Sequence, residues 1–191
     1  MVLLEAIVSW DVGILYGIQE LFRSGWMDGL MTTITRFGDG GIFWIAVAAC
    51  CLASRPGRKM GYSMAAALLI GLVVGNLLLK PLVARIRPFD LVGFGPLLIS
   101  APTDFSFPSG HTLHSFSCAT VIWRYYRGWG WGAYLLAALI GFSRLYLFVH
   151  YPTDVLAGAL LGVGIGWLAV FLIRRWEKAR GSLPGCPGET R

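Results

Sequence analysis

Residues that could carry acid–base and anion chemistry are concentrated in three short strings of the sequence. The strings are KPLVARIRP at 80–88, FPSGH at 107–111 and SRLYLFVHYPTD at 143–154. In or just after them stand Lys80, Arg85, Arg87, His111, His114, Arg144, His150 and Asp154. Each string borders an apolar run, where ionisable side chains are costly and therefore indicate a functional site. Several cations around histidines and a carboxylate indicate an anionic ligand, and phosphate is the natural one.

The string at 107–111 predicts the start of a helix that binds an anion. Pro108 pre-sets the backbone for a first turn, and Ser109 is able to cap it. The backbone N–H of Gly110 and its neighbours would then point at the anion, with His111 on the same turn.

The string at 80–88 predicts two cations at a helix end. Lys80 and Arg87 lie about two turns apart, and Pro88 cannot continue the helix, so we expect Arg87 to be held there. Arg85 fits a simpler interpretation, in which its side chain is an interfacial anchor. Asn76, one turn before Lys80, is expected to form an interhelical hydrogen bond.

The string at 143–154 carries a histidine and a carboxylate at a spacing suited to nucleophilic chemistry. Arg144 lies near the end of one apolar run, His150 in the following turn, and Asp154 four residues later. We expect Asp154 to accept the Nδ1–H of His150, because that bond leaves Nε2 free as a nucleophile.

The composition indicates that these strings are positioned by membrane helices. Of the 191 residues, 56% are hydrophobic and only 14% are charged, with a net charge of +6. Average soluble domains are roughly 45–50% apolar and about 25% charged. A soluble domain of this size cannot cover its surface with so few charges. Soluble, disordered, coiled-coil and nucleic-acid-binding proteins are therefore excluded.

We predict an all-α, polytopic transmembrane helical bundle with five clear spans, each of which needs about 20 apolar residues. The spans are expected within 40–54, 60–79, 107–123, 128–149 and 155–173. For 5–37 we prefer an amphipathic interfacial helix, with a sixth, weakly hydrophobic span as the alternative. We expect one membrane-embedded domain over 1–180 and a flexible cytoplasmic tail over 181–191.

Basic residues in the connecting segments predict the orientation of the bundle. Three alternate segments carry Arg55, Arg58, Lys59, Arg124, Arg127, Arg174, Arg175, Lys178 and Arg180. The positive-inside rule places these segments in the cytoplasm. The three chemistry-bearing strings then lie on the extracytoplasmic side of the cell (plasma) membrane.

Two expected spans carry glycines along one helix face. Gly71 and Gly75 form one set, and Gly158, Gly162 and Gly166 form the other. Small residues at a four-residue spacing let helix backbones approach closely. We expect close packing within one bundle, with a homodimer through these Gly-rich faces as the alternative.

The three strings, in this order, resemble the motifs of the type-2 phosphatidic acid phosphatase family, whose soluble relatives include vanadium haloperoxidases. The family pattern is KxxxxxxRP, PSGH and SRxxxxxHxxxD, and every defined position is present between residues 80 and 154. The resemblance implies that His150 forms a phosphohistidine, that Asp154 orients it and that His111 protonates the leaving oxygen. The phosphate-binding residues that it implies are Lys80, Arg87, Ser109, Gly110 and Arg144.

The resemblance also implies an integral membrane phosphatase that acts on a lipid phosphate or diphosphate and needs no metal or other cofactor. Among lipids, we favour undecaprenyl diphosphate, with phosphatidylglycerophosphate or phosphatidic acid next. The expected partners are the lipid substrate and the bilayer, with no nucleic acid. A non-enzymatic protein that binds or transports a phosphate-bearing lipid is the alternative, although it has no need for two histidines and an aspartate.

Other residues near the strings have simpler interpretations. His114 lies one turn from His111, but no carboxylate or cysteine is spaced to complete a metal site, so we expect it to pack or hydrogen-bond nearby. Asp104 is expected to cap the loop or pair with a local cation. A serine hydrolase triad of Ser109, His111 and Asp154 is disfavoured, because the chain has no GxSxG elbow and the cations would have no role.

Overall fold

The computed structural model describes residues 2–181, and this part of the chain contains helices and no β-strand. The all-α class is therefore confirmed. The tail expected over 181–191 lies outside the described residues apart from Gly181, the last residue of the final helix.

Nine α-helices make up the described part of the chain. They are α1 (Val2–Phe22), α2 (Gly25–Arg36), α3 (Ile42–Ala53), α4 (Arg58–Gly71), α5 (Lys80–Val83), α6 (Pro88–Val92), α7 (Gly110–Tyr125), α8 (Arg127–Tyr146) and α9 (Pro152–Gly181). A 3₁₀ turn at Asp39–Gly41 precedes α3, and a π-helix at Leu72–Leu79 joins α4 to α5.

Helix α7 is the centre of the bundle, because α4, α8 and α9 all pack against it. Its apolar side chains, such as Leu113 and Val121, are fully buried. Its serines and threonines are buried as well, and they find partners inside the bundle. Ser115, for example, accepts a hydrogen bond of 3.0 Å from the Trp44 indole N–H. A helix enclosed in this way has little surface left to face lipid.

The glycines of α9 bring its backbone against that of α7. A Cβ added at Gly162 would lie 2.5 Å from the carbonyl oxygen of Leu113, and one at Gly166 would lie 2.6 Å from that of Ser117. Gly158 makes a similar approach further along the helix. The expected close packing within one bundle is confirmed. A homodimer stays a prediction, and it would need helix faces other than these.

Only part of the expected set of membrane spans is supported by length and hydropathy. Within residues 2–181, two helical stretches qualify, Arg58–Val92 and Pro152–Arg180. A third span is possible if the pair Gly25–Arg36 and Asp39–Ala53, bent by 40°, is counted as one. Helices α7 and α8 form as expected but do not qualify. The physical reason in α7 is its buried serines and threonines together with two half-buried histidines, which a helix shielded from lipid tolerates.

The segment 5–37 forms two helices that pack on the bundle. Helix α1 contacts α8 and α9, and α2 contacts α8. Gln19 in α1 donates a hydrogen bond of 2.7 Å to the Tyr146 carbonyl, and the Tyr146 hydroxyl donates one of 2.5 Å to Asp28 in α2. Helix α1 does not qualify as a span by itself. Its Asp11 is fully buried, so the helix is docked through a polar contact as well as an apolar face.

Helices α7 and α9 each have a basic end and a site end. Helix α7 runs from His111 to Arg124, and α9 runs from Asp154 to Arg174. At 1.5 Å per residue, the two ends lie about 20 Å apart in α7 and about 30 Å apart in α9. Lys59 of α4 lines one cavity with Arg124 and Arg174. The basic segments therefore share one end of the bundle, opposite the three strings.

We expect Gly162→Ala to lower the melting temperature of the detergent-purified protein. The added methyl group would meet a backbone oxygen that cannot move alone, and overpacking of this kind costs about 1–3 kcal/mol. Gly164→Ala is the matched control in the same helix, since a Cβ there has nothing within 4 Å. The control should keep or raise the melting temperature, because alanine is favoured over glycine in helices by about 1 kcal/mol. Equal changes in both variants would contradict the close approach.

Candidate active site

A cavity of about 940 Å³ lies at the end of the bundle where the three strings meet. Six of the eight residues predicted for the site line it: Lys80, Arg87, Gly110, His111, Arg144 and His150. The other two, Ser109 and Asp154, are fully buried behind its wall. Asn76, His114, Asp39 and Asp104 also line the cavity. The three strings thus form one site from residues that are up to 74 positions apart.

The backbone between Lys80 and Arg87 differs from the expected helix end. The helix stops at Val83, because Ala84 takes a left-handed conformation with φ of 48°. Arg87 is extended and precedes α6, with Pro88 as the first residue of that helix. Pro88 therefore starts the next helix rather than ending the previous one, a role that its fixed φ and missing N–H also suit.

Arg87 joins the loop before α7 to the turn before α9. Its Nε donates to the Asp104 carbonyl at 2.8 Å and its Nη1 to the Val149 carbonyl at 2.7 Å. Nη1 also lies 3.3 Å from Nε2 of His150. The side chain is 3% exposed. These backbone contacts hold the guanidinium beside the histidine independently of any ligand.

Asp104 pairs with two of the three cations of the first string, Lys80 and Arg87. Its carboxylate pairs with Lys80, and its Oδ1 accepts from Arg87 Nη2 at 2.6 Å. The expected pairing with a local cation is confirmed. Partial burial alone would raise the pKa of Asp104, but hydrogen bonds and charges from Lys80 and Arg87 outweigh it and lower the pKa to about 2. Asp104 is therefore an anion at neutral pH, and its side chain remains 53% exposed.

His150 presents one ring nitrogen to the cavity and the other to the protein interior. An arginine N–H can only donate, so the contact with Arg87 makes Nε2 the acceptor and leaves the proton on Nδ1. Nδ1 lies 3.6 Å from Asp154 Oδ2 and 3.4 Å from Ser106 Oγ. Burial lowers the pKa of His150, and so do the positive charges of Arg87 and Arg144, whereas Asp154 raises it. The result is a pKa of about 3. The ring is neutral at pH 7, with a lone pair at Nε2.

The expected direct bond from His150 to Asp154 is replaced by a looser contact with a third residue. Ser106 donates to Asp154 Oδ2 at 2.5 Å and lies on the Nδ1 side of the histidine. The distance of 3.6 Å from His150 Nδ1 to Asp154 Oδ2 is too long for a good hydrogen bond. The Asp154 carboxylate therefore holds the imidazole together with the Ser106 hydroxyl. Sequence reasoning missed Ser106. A serine in a loop carries no signal of its own beyond its position just before the PSGH string.

Arg85 is an internal ion-pair partner, and its expected role as an interfacial anchor is wrong. Its Nη1 donates to Asp154 Oδ1 at 2.6 Å and to Thr153 Oγ1 at 2.7 Å. Its Nη2 donates to Asp11 Oδ2 at 2.7 Å. Both carboxylates are fully buried, and a buried carboxylate needs a cation within reach. Asp11, which sequence reasoning also missed, ties α1 to this network.

The PSGH string starts α7 at Gly110, with Ser109 in the cap position and extended. The serine makes no side-chain capping bond. Its Oγ instead accepts from Thr112 Oγ1 at 2.9 Å, so the expected capping by Ser109 is wrong in the described chain. The Ser109 N–H is also committed, because it donates to the Asp154 carbonyl at 3.2 Å. Gly110 faces the cavity, where a Cβ would lie 3.2 Å from Asn76 Oδ1.

His111 is held by a residue from outside the three strings. Its Nε2 lies 2.8 Å from Oδ1 of Asp39, in the 3₁₀ turn before α3. The same turn approaches the ring closely, since a Cβ at Gly38 would lie 2.4 Å from His111 Cδ2. Asp39 is a further residue that sequence reasoning missed. The GDGG run at 38–41 was a signal of a tight turn, but not of what the turn contacts.

Several polar atoms at the cavity are buried without a protein partner. Arg144 donates from Nη1 to Thr35 Oγ1 at 2.6 Å, but its Nε has no partner among residues 2–181. The same holds for Asn76 Oδ1 and His114 Nδ1. The interhelical hydrogen bond expected for Asn76 is therefore wrong, and His114 packs beside the cavity. Buried polar atoms without partners are rare, and at a cavity they indicate where a ligand or water binds.

The arrangement suits nucleophilic attack on a phosphoryl group. Three cations, Lys80, Arg87 and Arg144, surround one cavity that is also lined by a neutral histidine, His150, with an unprotonated Nε2. A second histidine, His111, lines the same cavity beside the carboxylate of Asp39. Fixed donors stabilise charge that develops on phosphoryl oxygens, and a proton donor assists the leaving group.

Comparison with known proteins gives the same family for the whole site region. A family model described as the PAP2 superfamily matches residues 57–178. The undecaprenyl-diphosphatase of Sulfolobus acidocaldarius is 37% identical over 145 residues, which cover 75% of this chain and 69% of that protein.

Two solved structures show the same arrangement of helices. The crystal structure of Aquifex aeolicus LpxE aligns with a TM-score of 0.73 and 27% identity, covering 85% of this chain and 95% of that one. The transmembrane PAP2-type phosphatidylglycerolphosphate phosphatase of Bacillus subtilis aligns with a TM-score of 0.68 and 27% identity, covering 91% and 87%.

Removal of the Asp104 charge should strengthen the binding of inorganic phosphate or vanadate. In Asp104→Asn, the backbone carbonyl still holds Arg87, while Lys80 and Arg87 no longer neutralise a carboxylate that competes with the anion. Because Asp104 is half-exposed, its ion pairs are worth about 1 kcal/mol, so we expect about fivefold tighter binding. Asp28→Asn is the control, since that carboxylate contacts Tyr146 outside the cavity. Isothermal titration measures both, and weaker binding to Asp104→Asn would contradict the competition.

Proposed function

Since the chain belongs to the PAP2 superfamily, the type-2 phosphatidic acid phosphatases, we propose that it is a membrane phosphatase that cleaves a lipid phosphate or diphosphate through a phosphohistidine. The observation that carries the proposal is the position of His150 Nε2. It faces a cavity of about 940 Å³ and lies 3.3 Å from a guanidinium able to hold the phosphate that it attacks.

In the first step, the lone pair of His150 Nε2 attacks phosphorus as the bond from phosphorus to the leaving oxygen breaks. His111 gives its proton to that oxygen, which departs as an alcohol or as the shortened lipid phosphate. The Nδ1 proton of His150 stays beside Ser106 and Asp154, whose negative charge stabilises the cationic ring of the intermediate.

In the second step, water attacks the phosphohistidine and the bond from phosphorus to Nε2 breaks. His111, now neutral, accepts a proton from the water, so the histidine that acted as an acid acts as the base. Inorganic phosphate leaves, and both histidines return to their starting state.

The cations supply the electrostatic part of the chemistry. Lys80, Arg87 and Arg144 neutralise the equatorial phosphoryl oxygens, the role that Mg²⁺ has in many other phosphoryl transfer enzymes. The sequence also predicts phosphate binding by Ser109 and Gly110 at the start of α7. Because the Ser109 hydroxyl and N–H are bonded within the protein, we assign Ser109 to support of the loop and Gly110 to contact with the anion. We propose that no metal is required.

We propose that the site faces the outside of the cell membrane. The support is the basic end of the bundle, which lies about 20–30 Å from the site along α7 and α9, and the positive-inside rule assigns that end to the cytoplasm. The same assignment requires α7 and α8 to cross the bilayer within the bundle, as the five-span prediction states.

Undecaprenyl diphosphate is the substrate that we favour. The cavity combines cations with an apolar rim of Leu72, Leu97, Leu98 and Ile99, which suits a charged head group on an apolar chain. The similarity to an undecaprenyl-diphosphatase over 75% of the chain supports the polyprenyl lipid. Phosphatidylglycerophosphate and phosphatidic acid are next, and the structural similarity to a phosphatidylglycerolphosphate phosphatase supports the former.

The proposed reaction predicts that the detergent-purified protein releases phosphate in the presence of EDTA. Undecaprenyl diphosphate should be the fastest substrate in a panel with phosphatidylglycerophosphate, phosphatidic acid and a soluble phosphate ester. His150→Ala should lose turnover by about 10³-fold or more, because the attacking atom is gone.

The folded state of His150→Ala is checked by its melting temperature and by binding of inorganic phosphate. Release at the wild-type rate by this variant would contradict the nucleophile. Activity that EDTA abolishes and a divalent ion restores would contradict metal independence. If the folded wild-type protein released no phosphate from any substrate, a protein that binds or transports the lipid would be the better description.

The proposed role of His111 as the proton donor to the leaving oxygen is tested separately. His111→Ala should lose about 10²–10⁴-fold with a basic leaving oxygen and far less with an acidic one, because a good leaving group needs no proton. Aryl and alkyl phosphates of graded leaving-group pKa measure the difference as a slope of log kcat/KM. An unchanged slope in the variant would assign His111 to binding rather than to proton transfer.

A further inference from the structure

A second cavity, of about 620 Å³, lies at the basic end of the bundle, far from the active site. It is formed where the start of α4 meets the ends of α7 and α9. The cations that line it are Lys59, Arg124, Arg174, Arg175 and Lys178. None of these residues contributes to the phosphatase chemistry described above, so the cavity needs an explanation of its own.

The lining carries a strong excess of positive charge. Five of its side chains are cations and one is an anion, so the net charge is +4 at neutral pH. The carboxylate of Glu177 lies 3.5 Å from Lys59 Nζ and is partly neutralised by it. The remaining cations converge from α7 and α9. Like charges in one cavity repel each other unless an anion lies between them.

Arg124 is the most enclosed cation of this cavity. Its guanidinium lies 4.2 Å from the centre of the Trp167 ring, which holds it in place. Its Nε is buried and has no hydrogen-bond partner within residues 2–181. A buried donor without an acceptor is costly, and an anion in the cavity would supply the acceptor.

The inner part of the cavity is apolar and continues onto the outer surface of the bundle. Val170 is buried, but Phe171 is 56% exposed and Trp167 is 44% exposed. Both belong to Pro152–Arg180, a helix long and apolar enough to cross a membrane, so their exposed faces are suited to contact with lipid chains. The cavity thus combines an apolar side suited to acyl chains with a basic side at the helix ends.

We propose that this cavity binds the phosphate group of an acidic phospholipid, with the acyl chains lying along Trp167 and Phe171. Small anions share the phosphate chemistry but would leave the apolar side uncovered. Topology alone does not require such a cavity, because the positive-inside rule is satisfied by exposed residues such as Arg55. Here cations from α4, α7 and α9 line one cavity. This arrangement distinguishes a head-group site from a scattered basic surface.

The test is lipid binding by the whole detergent-purified protein, measured by native mass spectrometry. The probe is phosphatidylglycerol, an acidic phosphodiester without a terminal phosphate, compared with phosphatidylcholine. Phosphatidylglycerol should bind saturably and phosphatidylcholine should not. Arg174→Gln with Arg175→Gln should weaken the binding by about 25-fold, or about fivefold for each neutralised cation. Both side chains are exposed, so the double variant keeps the fold.

A matched control removes the same charge outside the cavity. Arg55→Gln with Arg180→Gln should leave phosphatidylglycerol binding unchanged, and so should Arg87→Gln in the active site. Equal losses of phosphatidylglycerol binding in the two double variants would overturn the proposed site and indicate binding to a diffuse basic surface. A loss confined to Arg87→Gln would show that the lipid binds at the active site.

The source of the phosphate group is tested by competition. Excess glycerol phosphate or inorganic phosphate should not displace phosphatidylglycerol, because the soluble anions lack the acyl chains. Displacement by the soluble anions at concentrations similar to that of phosphatidylglycerol would contradict the proposal and identify a small anion as the ligand. Neither arm depends on turnover, so the result stands whether or not the proposed phosphatase reaction is observed.

Discussion

A charged side chain buried at one end of an apolar bundle is costly without a partner, and the pairing of such side chains shapes this end of the structure. Asp11 and Asp154 are completely buried, and Arg87 is nearly so. An unpaired ion in such surroundings costs several kcal/mol. Arg85 satisfies both carboxylates at 2.6–2.7 Å and thereby joins helices that are distant in sequence. Helix α1 is part of this arrangement, because its Asp11 completes the pairing.

The two carboxylates nearest to the cations differ in how firmly they are held. Asp154 is fully buried and receives hydrogen bonds from Ser106, Arg85 and the Tyr151 N–H. It therefore forms a rigid support behind the histidine. Asp104 is half-exposed and pairs with the cations from the solvent side of the cavity. We therefore expect Asp104 to compete with an anionic ligand for these two cations.

Helix α7 links the two ends of the molecule through its close contact with α9. The glycines of α9 let the two backbones approach until an added Cβ would be 2.5 Å from a carbonyl oxygen. Packing this tight leaves little freedom for either helix to slide. The start of α7 holds Gly110 and His111 at the active site, while its end holds Arg124 in the basic cavity. The two sites are therefore fixed relative to each other by one rigid contact.

The sequence by itself determined the membrane class, the helical fold, the glycine packing and six of the residues that line the cavity, because composition and short-range spacing carry that information. Only the tertiary structure decided which side chains hold the two histidines of the site. His111 meets Asp39 across 72 positions, and His150 meets Ser106 across 44. Loop aspartates and serines are common, so nothing local marks these two. The interfacial role predicted for Arg85 was wrong, because the two carboxylates that pair with it lie on α1 and α9, far from it in sequence. Burial and pairing over long separations exist only once the chain has folded.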